Sequence, residues 1–310
     1  MGSWTEQGLR FAHYGALLCL FGWTAFRLLK LRQLEWVSQD EGRTALTLVA
    51  ICAPLLSIAL MLVSIAAMMG APIASLDWPM IEAMIIGTEM GMAFLVRLAL
   101  LIAGLCALLA DRAGRQATLI AAMCFAGALL TLSWSGHAGA TEGGLGLFHR
   151  LNNGVHLLAT SLWLGAICWF LMLTVKAHRQ PDLIPALPLL RVMHAFAPLG
   201  VGLVAAAALT GVINAQLIFG LENSVAVLTT PYGILLVAKV ILVGMMLAFG
   251  AQNAAIGRWE VLDQRHETAE PHTALLRLRR SLAGELLLAG GVIGLVAVLG
   301  TMSPMMPMMM

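Results

Sequence analysis

Residues 133–175, SWSGHAGATEGGLGLFHRLNNGVHLLATSLWLGAICWFLMLTV, are the stretch from which the fold of the whole chain is best read. They join the end of one apolar helix to a second apolar helix through a glycine-rich turn. His149, His156 and Trp163 are seven residues apart, so the spacing predicts that all three lie on one helix face. Each step is a rise of ~10 Å, so we expect His149 and His156 to be successive sites and not to chelate one ion together. His137, in the turn, is free to join either one.

The composition indicates a membrane protein with several spans. The chain has 310 residues, of which 60% are hydrophobic and only 11% are charged, and its mean hydropathy is +0.89. These values exclude an ordinary soluble domain. The net charge of +2 is small and the basic residues are spread through short loops, which argues against nucleic-acid binding.

Eight apolar stretches are long enough to cross the membrane as helices, and they are too long and continuous for the strands of a β-barrel. The sequence therefore predicts an all-α polytopic membrane protein, with eight transmembrane helices in one bundle that forms a single domain over 1–310. All five cysteines lie in these stretches, so no disulfide framework is implied. The predicted spans are 8–29, 45–69, 88–110, 117–135, 151–174, 192–219, 232–254 and 282–301.

The basic residues indicate the orientation in the membrane. All but four of the 18 lysines and arginines lie in the connectors that follow the odd-numbered spans. Arg10 and Arg150 lie on the other side, and Arg97 and Lys239 fall inside spans. Positive charge favours the cytoplasmic side, so both termini are predicted to be periplasmic in a multi-pass protein of a bacterial inner membrane.

With this orientation, soft ligands collect at the predicted periplasmic side. His13, His137, His149 and His156 lie there or in the outer half of the bundle, and a methionine-rich tail occupies 302–310. Thioether sulfur suits Cu(I) and imidazole suits copper in either state, so the sequence predicts a copper site, cuprous in preference to cupric. Methionines inside spans, Met246 among them, are interpreted as packing. The candidate outer methionine ligands are Met68, Met69, Met90, Met92, Met302, Met305 and Met306.

Arg97 and Lys239 need a separate explanation because a charge near mid-span is costly and would repel a metal cation. Glu285, Glu89 or a bound anion would neutralise them. Alternatively, they join helices through backbone carbonyl groups or serve packing. The sequence leaves these alternatives open.

Several of these residues also form motifs of a known family. The motifs are the turn Ser135-Gly136-His137-Ala138, the pattern of His149, His156, Trp163 and Gly165, and the segment from Pro231-Tyr232-Gly233 through Lys239 to Asn253. These three motifs resemble the copper resistance protein D family of bacterial inner-membrane proteins. The resemblance covers nearly the whole chain. It implies a role in copper homeostasis, with a periplasmic copper-binding protein of the CopC type as partner. It also implies that His137, His149 and His156 form the metal site.

We therefore predict a copper carrier that is not an enzyme and that moves copper inward across the lipid membrane by ligand exchange along histidine and methionine sites. The chain has no GxxxxGK[ST] motif for ATP binding, and the sequence does not indicate an oligomeric state. One rival is a b-type haem protein in which His13 and His156 are axial ligands and Arg97 or Lys239 pairs with propionates. A further rival is a copper-binding assembly factor or sensor without transport.

Overall fold

The computed structural model describes residues 4–30, 42–110, 114–262 and 271–303, and within these ranges the protein is helical without strands. Met305, Met306 and the rest of the predicted tail beyond Ser303 lie outside the described residues. The helices are α1 (Trp4–Lys30), α2 (Arg43–Met69), α3 (Trp78–Ile86), α4 (Glu89–Leu109), α5 (Arg115–Leu130), α6 (Gly136–Gly139), α7 (Gly143–Arg179), α8 (Ala186–Phe219), α9 (Ser224–Leu228), α10 (Pro231–Leu262) and α11 (Pro271–Leu299).

The all-α polytopic fold is confirmed, and each of the eight predicted spans falls on a long helix. Seven helices in the described part of the chain are long and apolar enough to cross a membrane. The remaining long helix is α1, whose ends carry charged residues such as Glu6 and Arg27. The count of eight crossings and the periplasmic position of both termini therefore stay predictions.

Although it is the least apolar of the long helices, α1 packs in the middle of the bundle against α2, α5, α7 and α11. It meets α7 at two glycines, where a Cβ on Gly22 would overlap the Ser161 carbonyl group and one on Gly165 would overlap the backbone of Gly22. Close backbone approach of this kind is how membrane helices gain packing contacts. The Ser161 hydroxyl donates to the Leu18 carbonyl oxygen across the same crossing, at 2.6 Å.

The two largest apolar clusters of the described residues divide the bundle. One lies among α1, α2, α4 and α5 around Phe125, and the other lies among α7, α8, α10 and α11 around Trp169. The Trp169 indole donates to the Trp23 carbonyl oxygen at 3.0 Å, so α1 links the two clusters. Helices from both halves of the sequence therefore share one packed interior.

The connection between α2 and α4 contains a helix that hydropathy alone did not predict. Gly70 caps the C-terminus of α2 in a left-handed conformation with φ 63°. Asp77 then caps α3 by accepting a hydrogen bond from the Met80 amide at 2.9 Å, and Thr88 caps α4 in the same way through the Gly91 amide. With nine residues, α3 is too short to appear among the predicted spans.

Candidate metal centre

A cavity of about 370 Å³ lies among α1, α6, α7, α8, α10 and α11. His137, His149 and His156 all line it, together with Trp163 and Lys239. The prediction that residues seven apart on α7 share one face is confirmed, because His149, His156 and Trp163 follow one wall of the cavity. Most of the other lining residues are apolar, so a ligand here would have few competing polar contacts.

His137 lies in the short helix α6 at one end of the cavity. Its Nε2 atom is buried without a hydrogen-bond partner, and its ring packs edge-on against Tyr232, with centroids 6.0 Å apart. Burial lowers the pKa of His137 below its ordinary value of 6.5. The ring is therefore neutral near pH 7 and keeps a lone pair for a metal ion.

His149 is 1% exposed and lies in the second turn of α7. Its Nδ1 atom lies 2.9 Å from the Thr141 hydroxyl oxygen, and that hydroxyl donates to the His137 carbonyl oxygen at 3.3 Å. Since the hydroxyl proton is directed at the carbonyl, the hydroxyl oxygen accepts from the Nδ1 proton of His149. The Nε2 atom of His149 then carries the lone pair that a metal ion needs.

His156 is oriented by α8. Its Nδ1 atom lies 3.0 Å from the Ala207 carbonyl oxygen and 3.0 Å from the Thr210 hydroxyl oxygen. A carbonyl oxygen only accepts, so Nδ1 carries the proton and Nε2 carries the lone pair. Asn152 donates from α7 to the Thr210 carbonyl oxygen at 2.9 Å, which holds the two helices in register at this level.

These three rings do not form a closed chelate. Among the described residues no group of three or more His, Cys, Asp or Glu side chains is placed to hold one metal ion. His137 and His149 lie at the same end of the cavity, where the Thr141 hydroxyl contacts both residues, whereas His156 lies ~10 Å further along α7. This arrangement suits two weak sites in series better than one tight site.

His13, the fourth predicted metal ligand, lies in a different part of the bundle. It is 0% exposed and is absent from the cavity wall. Its Nε2 atom lies 2.8 Å from the Ser57 hydroxyl oxygen of α2, and that hydroxyl donates to the Ala53 carbonyl oxygen. His13 therefore donates through Nε2, and its Nδ1 atom is buried without a partner.

The predicted methionine ligands in the described residues lie outside the cavity. Met68, Met69 and Met92 are exposed near the connection between α2 and α4, and Met90 packs on the apolar cluster of Met61, Ile65 and Phe94. Met302 packs against the apolar cluster that contains Tyr232, the residue against which the His137 ring lies. Of this set, Met302 is thus the sulfur most closely associated with the cavity.

The structure adds Met246, which the sequence indicated as packing. Met246 is 5% exposed and lines the cavity. It lies seven residues after Lys239, so both occupy one face of α10. The seven-residue spacing is the signal that would have found it, once Lys239 had been assigned to an interior face.

The two cations inside spans have different surroundings. Arg97 donates to the hydroxyl and carbonyl oxygens of Thr131, at 2.7 and 3.3 Å, so it joins α4 to the turn after α5. Lys239 faces the cavity. Neither carboxylate considered from the sequence pairs with them.

Those two carboxylates have other partners. Glu89 forms an ion pair with Arg150 at 2.7 Å, and Glu285 accepts a hydrogen bond from Asn253 at 3.0 Å. Each carboxylate therefore already has a partner on a neighbouring helix.

Comparisons with known proteins agree with the motifs around this cavity. The family model described as the N-terminal domain of copper resistance protein D-like proteins matches residues 1–147, and the copper resistance protein D model matches residues 190–299. A copper resistance protein D of Pseudomonas syringae pv. tomato is 33% identical over 96% of both chains. The chain belongs to the copper resistance protein D family. The E. coli (strain K12) inner membrane protein YebZ is a more distant relative, 26% identical over 82% of this chain and 84% of its own. No solved structure matches the chain significantly.

Proposed function

We propose that this family member is a copper carrier of the bacterial inner membrane and not an enzyme. Copper is bound from the periplasm at the α6 end of the cavity and is passed along the imidazoles of α7 towards the cytoplasm. The observation that carries the proposal is that His137, His149 and His156 line one cavity. For His149 and His156, hydrogen bonds at Nδ1 leave Nε2 as the nitrogen available to a ligand.

The chemistry of the donors supports cuprous copper as the cargo. Neutral imidazole and thioether groups are suited to Cu(I), and sites without thiolate or carboxylate bind weakly enough to release it. In the proposed route, Met302 lies near the entrance, His137 and His149 form the first site, and His156 forms the second. Met246 supplies a sulfur donor further along α10.

Delivery and direction follow from the predicted orientation. A periplasmic copper-binding protein of the CopC type would deliver the ion at the α6 end, where the exposed Met68, Met69 and Met92 add soft donors on the same predicted side. Inward movement is inferred from the soft donors collected on the predicted periplasmic side and from the family resemblance. This proposal needs both termini on the periplasmic side.

The experiment is copper uptake into proteoliposomes with cuprous copper supplied outside. His156→Ala is expected to abolish uptake while leaving the protein folded, because the second site loses its only assigned nitrogen. His178→Ala, which changes an exposed histidine at the end of α7, is the matched control. Uptake by His156→Ala equal to that of the control would remove His156 from the route.

The same samples distinguish the rival functions. Copper binding without uptake would indicate an assembly factor or a sensor. A strong Soret band in the purified protein would indicate haem. The haem alternative also requires His13 and His156 to face one space, and in the structure His156 lines the cavity whereas His13 does not.

A further inference from the structure

The side chain of Lys239 places a positive charge in the cavity, and no acidic side chain described there pairs with it. It lines the same cavity as His156 and acts electrostatically on that ring. Within the described ranges Lys239 has neither a hydrogen bond nor an ion pair, and no aspartate or glutamate lines the cavity there. A lysine in the interior of a membrane protein normally pairs with an opposite charge or faces a functional pathway.

The carboxylates considered as partners for Lys239 are bonded to other groups. Glu285 lies one turn from the cavity-lining Ala289 on α11, yet it is 2% exposed and is bonded by Asn253 instead. Glu6 pairs with Arg10 at 3.0 Å near the start of α1. The positive charge of the cavity is therefore not balanced by the protein side chains described.

A bound copper ion adds to the unbalanced positive charge in the cavity. The imidazoles of His149 and His156 and the thioether of Met246 are neutral donors, so a bound copper ion keeps its full positive charge. Two positive charges within one apolar cavity repel each other strongly because few polar groups screen them. An anion that contacts both would remove the repulsion and would also give the ammonium group an acceptor.

The cavity has room for such an anion. Its volume of about 370 Å³ is roughly ten times the ~30 Å³ that a water molecule occupies in the liquid. Near His156 the wall is formed by small residues, Ala207, Ala208 and Gly211. We infer that the cavity is a binding site for a small coordinating anion, a halide or a carboxylate, which Lys239 holds beside the copper ligands.

The anion site itself does not depend on the proposed function, whereas its role in copper binding does. The first experiment therefore uses copper-free protein in nanodiscs of uncharged lipid and measures binding of radioactive chloride by equilibrium dialysis. Binding is expected in the wild type and in Lys239→Arg, which keeps the charge, and is expected to be lost in Lys239→Met. Lys176→Met, which removes a lysine at the far end of α7, is the control and is expected to bind as the wild type does.

A second experiment measures cuprous copper affinity in chloride, in acetate and in methanesulfonate, a weakly coordinating anion. Copper is expected to bind roughly tenfold more tightly in chloride or acetate than in methanesulfonate, and only in variants that keep the charge at 239. Comparison of chloride with acetate identifies which anion is preferred.

The two experiments separate the anion site from the copper function. Absence of chloride binding in the wild type, or chloride binding that persists in Lys239→Met, would overturn the anion site. An equal loss of copper affinity by Lys239→Met in all three salts would overturn it too, because the amine itself would then be the copper ligand. Chloride binding that depends on Lys239, combined with no copper binding in any salt, would instead contradict the proposed function.

Discussion

The Nδ1 atom of His149 lies 2.9 Å from the Thr141 hydroxyl oxygen, across the turn that leads into α7. The same hydroxyl donates to the His137 carbonyl oxygen. One threonine thus fixes the tautomer of one imidazole and the backbone position of the other. Groups that orient a metal-binding histidine from behind commonly contribute a factor of about 10 to 100 in metal affinity.

Thr141→Val is therefore expected to weaken copper binding at the first site by roughly 10- to 100-fold. Valine keeps the shape of the side chain but removes the oxygen, so the His149 ring is free to turn and to change tautomer. The measurement is a competition titration of cuprous copper against a chelator. Thr229→Val, at an exposed threonine, should leave the affinity unchanged; an equal affinity in both variants would show that Thr141 does not orient His149 for copper.

Ser57→Ala tests whether His13 is part of the copper path. The substitution removes the acceptor of the buried His13 Nε2 proton, which is expected to destabilise the fold by about 1 to 3 kcal/mol. Copper affinity is expected to stay the same, because His13 does not line the cavity. Thermal unfolding and the copper titration are measured on the same sample, with Ser75→Ala at an exposed serine as the control.

A loss of copper affinity in Ser57→Ala without loss of stability would instead assign His13 to the metal path. The buried Nδ1 atom of His13, which has no partner, would then be the nitrogen involved.

Much of the fold follows from the sequence because the membrane imposes a simple rule on it. Backbone groups in hydrocarbon must be paired within a helix, so long apolar runs become long helices. Spacing within one helix is equally reliable, which is why His149, His156 and Trp163 were correctly assigned to one face. The short helix α3 escaped prediction because its nine residues, although apolar, are too few to cross a membrane.

The composition of the site was harder to predict because it depends on how different helices are rotated against each other. His13 has the residue type and the depth expected of a copper ligand, yet its Nε2 atom meets Ser57 on α2. Met246 resembled packing, yet it faces the cavity. Both outcomes are set by contacts between helices that are distant in sequence, and a single sequence carries no record of those contacts.

Met246→Leu is expected to slow copper uptake while leaving copper binding at the first site intact. Leucine fills nearly the same volume, so the surrounding apolar cluster should tolerate it at a cost below about 1.5 kcal/mol, but it offers no sulfur donor. Uptake into proteoliposomes and equilibrium copper affinity are measured in parallel. Met245→Leu changes the neighbouring methionine, which is exposed, and should behave as the wild type does.

If Met246→Leu transports copper at the wild-type rate, Met246 belongs to the packing of the bundle alone, as its sequence context suggested. A fall in both copper affinity and copper uptake would mean that the thioether belongs to a binding site shared with the histidines.

The pH dependence of copper binding tests the state of His137. Burial lowers the pKa of this ring below 6.5, so protons should compete with copper only at pH values below the ordinary histidine range. For a histidine with a lowered pKa, the stabilisation of the folded protein is fully present above the unfolded value of 6.5 and is lost as the pH falls through the folded value. We therefore expect the contribution of His137 to copper affinity to be constant from about pH 8 to 6.5 and to decline only below that.

This contribution is the difference in cuprous copper affinity between the wild type and His137→Gln, measured across the same pH series. Glutamine cannot bind a proton in this range, so the wild type should lose affinity more steeply with acid by up to one proton. A difference that already declines between about pH 8 and 6.5 would mean that His137 titrates as an exposed histidine does. The Nε2 atom would then be open to solvent, contrary to its burial next to Tyr232.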